Sequence, residues 1–135
     1  MAIASTWRGV FSDAELNSLH AEAFGVDNVT QSAWGWRAQL ERHSLGWITA
    51  RDHDSLVGFV NVAWDGGVHA WLQDVVVAVA SRHQGIGARL VALAREEALK
   101  AGCEWLHVDF DAELSEFYFE ACGFASTTAG LMHLK

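Results

Sequence analysis

The sequence predicts a single α/β (α+β) domain, residues 1–135, in which helices flank a mixed central sheet in the order β-α-α-β-β-β-α-β-α-β-β. Three observations carry that expectation. The chain has 135 residues, 51% hydrophobic and 19% charged, enough for one buried core and too few for a second domain. Its apolar spacing switches between the three-to-four period of helices and the two-residue period of strands. A β-branched run at residues 75–79 leads through Gly85 and Gly87 into an amphipathic segment, as strand-to-helix units of α/β folds do.

Each element follows from local signals. Residues 7–11 read as a first strand, ended by Ser12-Asp13-Ala14-Glu15, where Ser12 and Glu15 have capping-box spacing. The helix that starts there carries Leu16, Leu19 and Ala23 on one side, and Gly25 ends it. Residues 31–43 read as a second helix, although Gly35 weakens it. Residues 45–50 and 56–64 then read as a hairpin around the polar turn at 51–55. Asp65-Gly66-Gly67 makes the next turn, and residues 69–79 form a long strand. Residues 86–101 are helical, with Ile86, Leu90, Leu93, Ala94 and Glu97 on one stripe and Lys100-Ala101-Gly102 as the C-cap. Residues 105–110 form a strand, residues 112–122 a short helix closed by Gly123, and residues 124–134 a final strand pair.

Composition narrows the function classes. Nine basic against seventeen acidic residues give a net charge of −8, which repels nucleic acid and anionic lipid and favours cationic ligands such as a basic amine. Met1-Ala2-Ile3-Ala4-Ser5 lacks the basic start and apolar stretch of a signal peptide, and no apolar run approaches membrane-spanning length. Cys103 and Cys122 match no metal spacing and read as small buried hydrophobes, so no metal is expected and a cytoplasmic setting is the simplest one.

Arg82-His83-Gln84-Gly85-Ile86-Gly87-Ala88 carries the chemistry. Glycines allow a sharp turn and a close ligand approach. The first helical turn beyond them has unpaired amides at the positive end of its dipole, a place for an anion such as a pyrophosphate. The spacing fits neither the dinucleotide fingerprint nor a nucleoside triphosphate loop.

These residues are similar to Arg/Gln-x-x-Gly-x-Gly/Ala, the signature of the GNAT superfamily of acyl-CoA-dependent N-acyltransferases, and the predicted element order resembles the GNAT fold over nearly the whole chain. The resemblance implies that backbone groups of Val75, Val76 and Val77 hold the pantetheine arm of acetyl-CoA, and that Arg82, His83, Gln84, Gly85, Ile86, Gly87 and Ala88 surround its pyrophosphate. A proline common in the family is replaced by Val79. A second signature, Asn-x-x-Ala-x-x-Phe/Leu-Tyr-x-x-x-Gly-Phe, resembles residues 111–124, with Asp111 for Asn and Leu114 for Ala. Asp111 and Tyr118 thereby become cofactor contacts. Tyr118, the only tyrosine, lies on the stripe Leu114, Phe117, Tyr118, Ala121. The resemblance gives it the role of protonating the departing thiolate.

A base must also deprotonate the ammonium of the acceptor. Family members often place Glu or His on the face that, by alternation, holds His69, Trp71, Gln73 and Val75 here. Trp71 and Gln73 cannot act as bases. His69, His107 and Asp109 are the candidates, with Gln73 able to orient a water. Trp34, Trp36, Trp47 and Trp64 surround the segments that would line an acceptor cleft, as aromatic walls or as plain packing. The implied activity is acetyl transfer to a primary amine of a small molecule or peptide in a ternary complex. A non-catalytic acyl-CoA-binding or sensing module and an interaction domain stay open beside it, as does a homodimer.

Overall fold

A computed structural model describes residues 2–25 and 34–135. The strands are β1 (Ile3–Trp7), β2 (Ser44–Asp52), β3 (Ser55–Trp64), β4 (His69–Val77) and β5 (Trp105–Val108). The helices are α1 (Asp13–Phe24), α2 (Trp36–His43) and α3 (Ile86–Lys100). One sheet runs in the order β1-β2-β3-β4-β5, antiparallel throughout except for the parallel pair β4-β5.

The sheet separates two apolar layers. Ile48, Val60, Val62 and Leu72 pack against Ile86, Leu90 and Ala94 of α3, and on the opposite face Trp47, Phe59 and Val76 pack against Phe11, Leu16, Trp36 and Leu40. The start of α1 shows how sequence builds the second layer. The Glu15 N–H donates to Ser12 Oγ at 3.1 Å, and the Ser12 N–H donates to Glu15 Oε2 at 2.8 Å. Phe11 and Leu16, on either side of that capping box, are buried in the same cluster, a hydrophobic staple fixing the entry of the chain. Arg51 then clamps the Glu15 carboxylate with two bonds of 3.1 and 2.7 Å, tying the helix to β2. Gly25 ends the helix in the left-handed region at φ 66°, its N–H donating to the Ala21 carbonyl.

Several boundaries differ from the sequence expectation. The first strand is Ile3–Trp7 rather than residues 7–11, because Ile3 to Trp7 pair with Asp52 to Ile48, and Arg8, at φ 55°, turns the chain away. Phe11 is thereby freed to be the staple. Of the second helix, residues 31–33 lie outside the described residues, and α2 begins at Trp36. The expected helix over residues 112–122 is a 3₁₀ turn, Ala112–Leu114, followed by a π-helical turn, Glu116–Ala121. The final strand pair does not form. Residues 125–130 are Ala, Ser, Thr, Thr, Ala and Gly and offer no large side chain to bury. Leu131, Met132 and Leu134 are exposed, and β5 ends the sheet.

β4 and β5 are each two residues shorter than expected: β4 gives way to the 3₁₀ turn Val79–Ser81, and β5 ends beside an irregularity in β4. Val76 opposes Phe59 and Gln73 opposes Asn61, so Asp74 and Val75 together face Val60 alone. This is a β-bulge, with Asp74 at φ 56°, a left-handed conformation that Asp tolerates better than most residues. The parallel ladder with β5 stops just before it, at Leu72 and Val108. Beyond that point the two strands part.

Candidate active site

The parting of β4 and β5 opens a cleft of ≈ 420 Å³ lined by Gln73, Asp74 and Val75 on one side and Asp109, Asp111 and Tyr118 on the other. Trp71 and Phe24 also line it. Of the residues nominated from sequence, Gln73, Val75, Asp109, Asp111 and Tyr118 therefore meet in one place. Val75 does not share a face with Gln73 as alternation implied. The bulge turns Val75 to the α3 layer and sets Val76 against Phe59 in the α1-α2 layer.

Tyr118 sits on the π-helical turn, buried. Its ring stacks on Phe110 at 4.5 Å and meets Phe117 and Phe124 edge-on at 4.8 and 6.0 Å. The hydroxyl has no hydrogen-bond partner among the described residues. Burial, with a smaller contribution from Cys122, pushes its pKa up to about 12. At neutral pH it is a proton donor and cannot serve as a base.

The glycine loop lies between β4 and α3. After a 3₁₀ turn, Val79–Ser81, His83 and Gly85 both take positive φ, 64° and 79°, and Gly85 is the N-cap of α3. Arg82 donates from Nε to the Val77 carbonyl at 3.2 Å, closing the loop onto the strand end. Glu22 of α1 accepts from the Val79 N–H at 2.7 Å, which fixes the loop's other flank. Among the described residues, none of the six N–H groups of residues 83–88 donates to a protein acceptor, whereas the next one, Arg89 N–H, bonds to the Gly85 carbonyl. Those amides form a nest at the positive end of a fifteen-residue helix. Gly87 has a different reason to be glycine: a Cβ there would come within 3.2 Å of Phe117 Cζ. Phe117 thus joins the loop to Tyr118.

His69 and His107 are brought together, but not into the cleft. His69 Nδ1 and His107 Nε2 lie 2.8 Å apart; neither lines the cleft, whereas Trp71, stacked on His107 at 4.9 Å, does. The tryptophans named as cleft walls fall elsewhere. Trp36 and Trp47 are core residues, their indole N–H groups donating to Asn17 Oδ1 and the Gly9 carbonyl, while Trp34 and Trp64 are exposed. Trp71 alone of the seven lines the cleft. Both cysteines are free, and burial raises both thiols, with Asp65 adding to the effect at Cys103, so neither is an activated nucleophile.

Sequence reading missed Asp74 and His20. His20 of α1 donates from Nε2 to Asp74 Oδ1 at 3.1 Å across the bulge. The partners are 54 residues apart, and the bulge that joins them contains no glycine to mark it.

Comparison with known proteins agrees with this fold. No curated protein matches the chain by sequence. An acetyltransferase of the GNAT family from Streptococcus pneumoniae has a similar structure, at 21% identity with a TM-score of 0.77, over 99% of this chain and 98% of that one. So has glucosamine-6-phosphate N-acetyltransferase from Arabidopsis thaliana, at 16% identity and a TM-score of 0.76, over 99% of each chain. A third is AAC(6')-Iy in complex with a CoA bisubstrate analogue, at 17% identity and a TM-score of 0.76, over 100% of this chain and 99% of that one. Residues 13–124 match the Acetyltransferase (GNAT) family, and with most of its length covered by that match, the chain belongs to this family.

Proposed function

We propose that the protein transfers an acetyl group from acetyl-CoA to a primary amine of a small molecule or peptide, by direct attack with both substrates bound. The observation that carries this reading is the row of six unpaired amides at residues 83–88 beside a cleft that holds a protonated phenol. The amides, with the Arg82 and Gln84 side chains at hand, fit a pyrophosphate. The β4 edge from Gln73 to Val77 has no strand partner on the β5 side, so its backbone groups are free to hold an extended pantetheine arm. A similar structure, the aminoglycoside N-acetyltransferase AAC(6')-Iy, was solved in complex with CoA.

Acetyl-CoA supplies the thioester. The chain's own residues orient it, exclude water and move protons. Tyr118 donates its phenolic proton to the departing sulfur. Asp109 and Asp111, both exposed, give the cleft a negative rim that attracts an ammonium. Gln73 lines the cleft and can orient a water, while His69 and His107 do not line it. Two free cysteines fit a reducing cytoplasm.

Calorimetric titration with CoA, followed by a screen of primary amines for CoA release from acetyl-CoA, tests the reading. Binding in the micromolar range with amine-dependent release supports it. Binding without release would instead indicate a sensing module, and no binding at all an interaction domain.

A further inference from the structure

We infer that Asp74, held by His20, is the group that receives the acceptor's ammonium and takes its proton, an assignment that rests on the transferase reading above. The bulge places a carboxylate where β4 borders the cleft. Its Oδ1 is occupied by the His20 Nε2–H at 3.1 Å. Oδ2 has no partner among the described residues.

His20 has no freedom to do otherwise. Its ring is clamped by Phe24 at 4.6 Å and Trp36 at 5.0 Å, and its Nδ1 is buried without a hydrogen-bond partner among the described residues. Among the described residues, the bond to Asp74 is the one the imidazole makes. A carboxylate fixed in this way is oriented before the substrate arrives, which is what proton transfer at a defined atom requires. The other acids at the cleft lack such support: Asp109 and Asp111 are exposed and make no side-chain bond among the described residues. Glu22, also on α1, is engaged by the Val79 N–H. Tyr118 stays protonated. His69 and His107 bond to each other.

The proton balance closes without another reagent. The ammonium loses one proton to Asp74 Oδ2, which passes it to solvent. The freed nitrogen lone pair forms the C–N bond as the C–S bond breaks, and the nitrogen releases a second proton to solvent. The sulfur receives one from Tyr118, which is replenished from solvent. One proton is released per acetyl transferred.

The test uses the full chain, acetyl-CoA at saturation, and two probe amines of different basicity, ethylamine and 2,2,2-trifluoroethylamine, with thiol release as the readout. Asp74→Asn should lower kcat on ethylamine by about 10²-fold or more, lose much less on the weakly basic amine, and bind CoA as the parent does. His20→Phe, which keeps the ring between Phe24 and Trp36, should lower kcat on ethylamine with the KM for acetyl-CoA unchanged, and His20→Gln should recover part of the loss. An Asp74→Asn variant that equals the parent on ethylamine, or loses equally on both amines, overturns the assignment and leaves the transferase reading intact. A parent that binds CoA but releases thiol with neither of these amines, nor with any of a panel of primary amines, aminoglycosides and peptides, overturns both.

Discussion

Replacing Tyr118 by Phe separates chemistry from packing, because one atom carries the proposed chemistry and the ring carries the packing. The ring contacts with Phe110, Phe117 and Phe124 survive the substitution. The lost hydroxyl has no partner among the described residues, so no donor or acceptor is stranded when it goes. Removing an unpaired, mostly buried hydroxyl changes stability by no more than about 1 kcal/mol, in either direction. For a domain of this size that is a shift of roughly 2–6 °C at most in Tm. Loss of a general acid costs about 10²- to 10⁴-fold in rate, or about 3–5 kcal/mol of barrier. The two effects differ enough to be read apart. Thiol release at saturating acetyl-CoA measures the first, and a melting curve the second. Since burial holds the hydroxyl's pKa at about 12, the parent should show no loss of rate from phenol ionisation as pH passes ~10, the ordinary phenol value. A Phe variant turning over at the parental rate would refute the reasoning, as would a rate loss that simply tracked a large fall in Tm.

Two further perturbations bear on other parts of the structure. Gly85→Val should weaken CoA binding by at least tenfold in calorimetry: a β-branched residue resists φ 79°, and the nest loses its shape although a Cβ at Gly85 meets nothing within 4 Å; Gly85→Asn, which tolerates that region, should be milder. Glu15→Gln should lower Tm at neutral pH, since Arg51 and the Ser12 N–H hold the Glu15 carboxyl below its ordinary value against the opposing effect of burial. A lowered folded-state value stabilises above the unfolded one and is lost as pH falls through it, so the gap between variant and parent in pH-dependent melting should close in acid.

What the sequence disclosed depended on whether the signal was local. The capping box of Ser12 and Glu15, the hairpin turn and the loop from Arg82 to Ala88 are each set by neighbours within a few residues; the first and last stand where expected, and the turn tightens from residues 51–55 to 53–54 because Asp52 pairs with Ser55. Tyr118 reached the cleft although its helix became a π-helical turn; of the expected inward stripe Phe117 and Tyr118 stay turned to the core, whereas Leu114 and Ala121 are exposed. The first strand was misplaced by four residues because 7–11 contains Trp7, Val10 and Phe11, apolar enough for a strand. Pairing with β2 settles the matter, and pairing is not local. The bulge at Asp74 was hidden for the same reason. Asp74 is a poor strand former, but one such residue does not fix the place of a bulge, which only the register against β3 and the contact with His20 reveal. That one shift displaced Val75 from its expected face, ended β5 early and opened the cleft.

The central claim is acetyl transfer from acetyl-CoA to an amine, and mass spectrometry of the products tests it most directly. The full chain, incubated with acetyl-CoA and a panel of primary amines, aminoglycosides and peptides, should yield an N-acetylated acceptor in amounts equal to the CoA thiol released, with both products sharply reduced in the Tyr118→Phe variant. CoA bound at the loop with no acetylated amine from any of these acceptors would contradict the account.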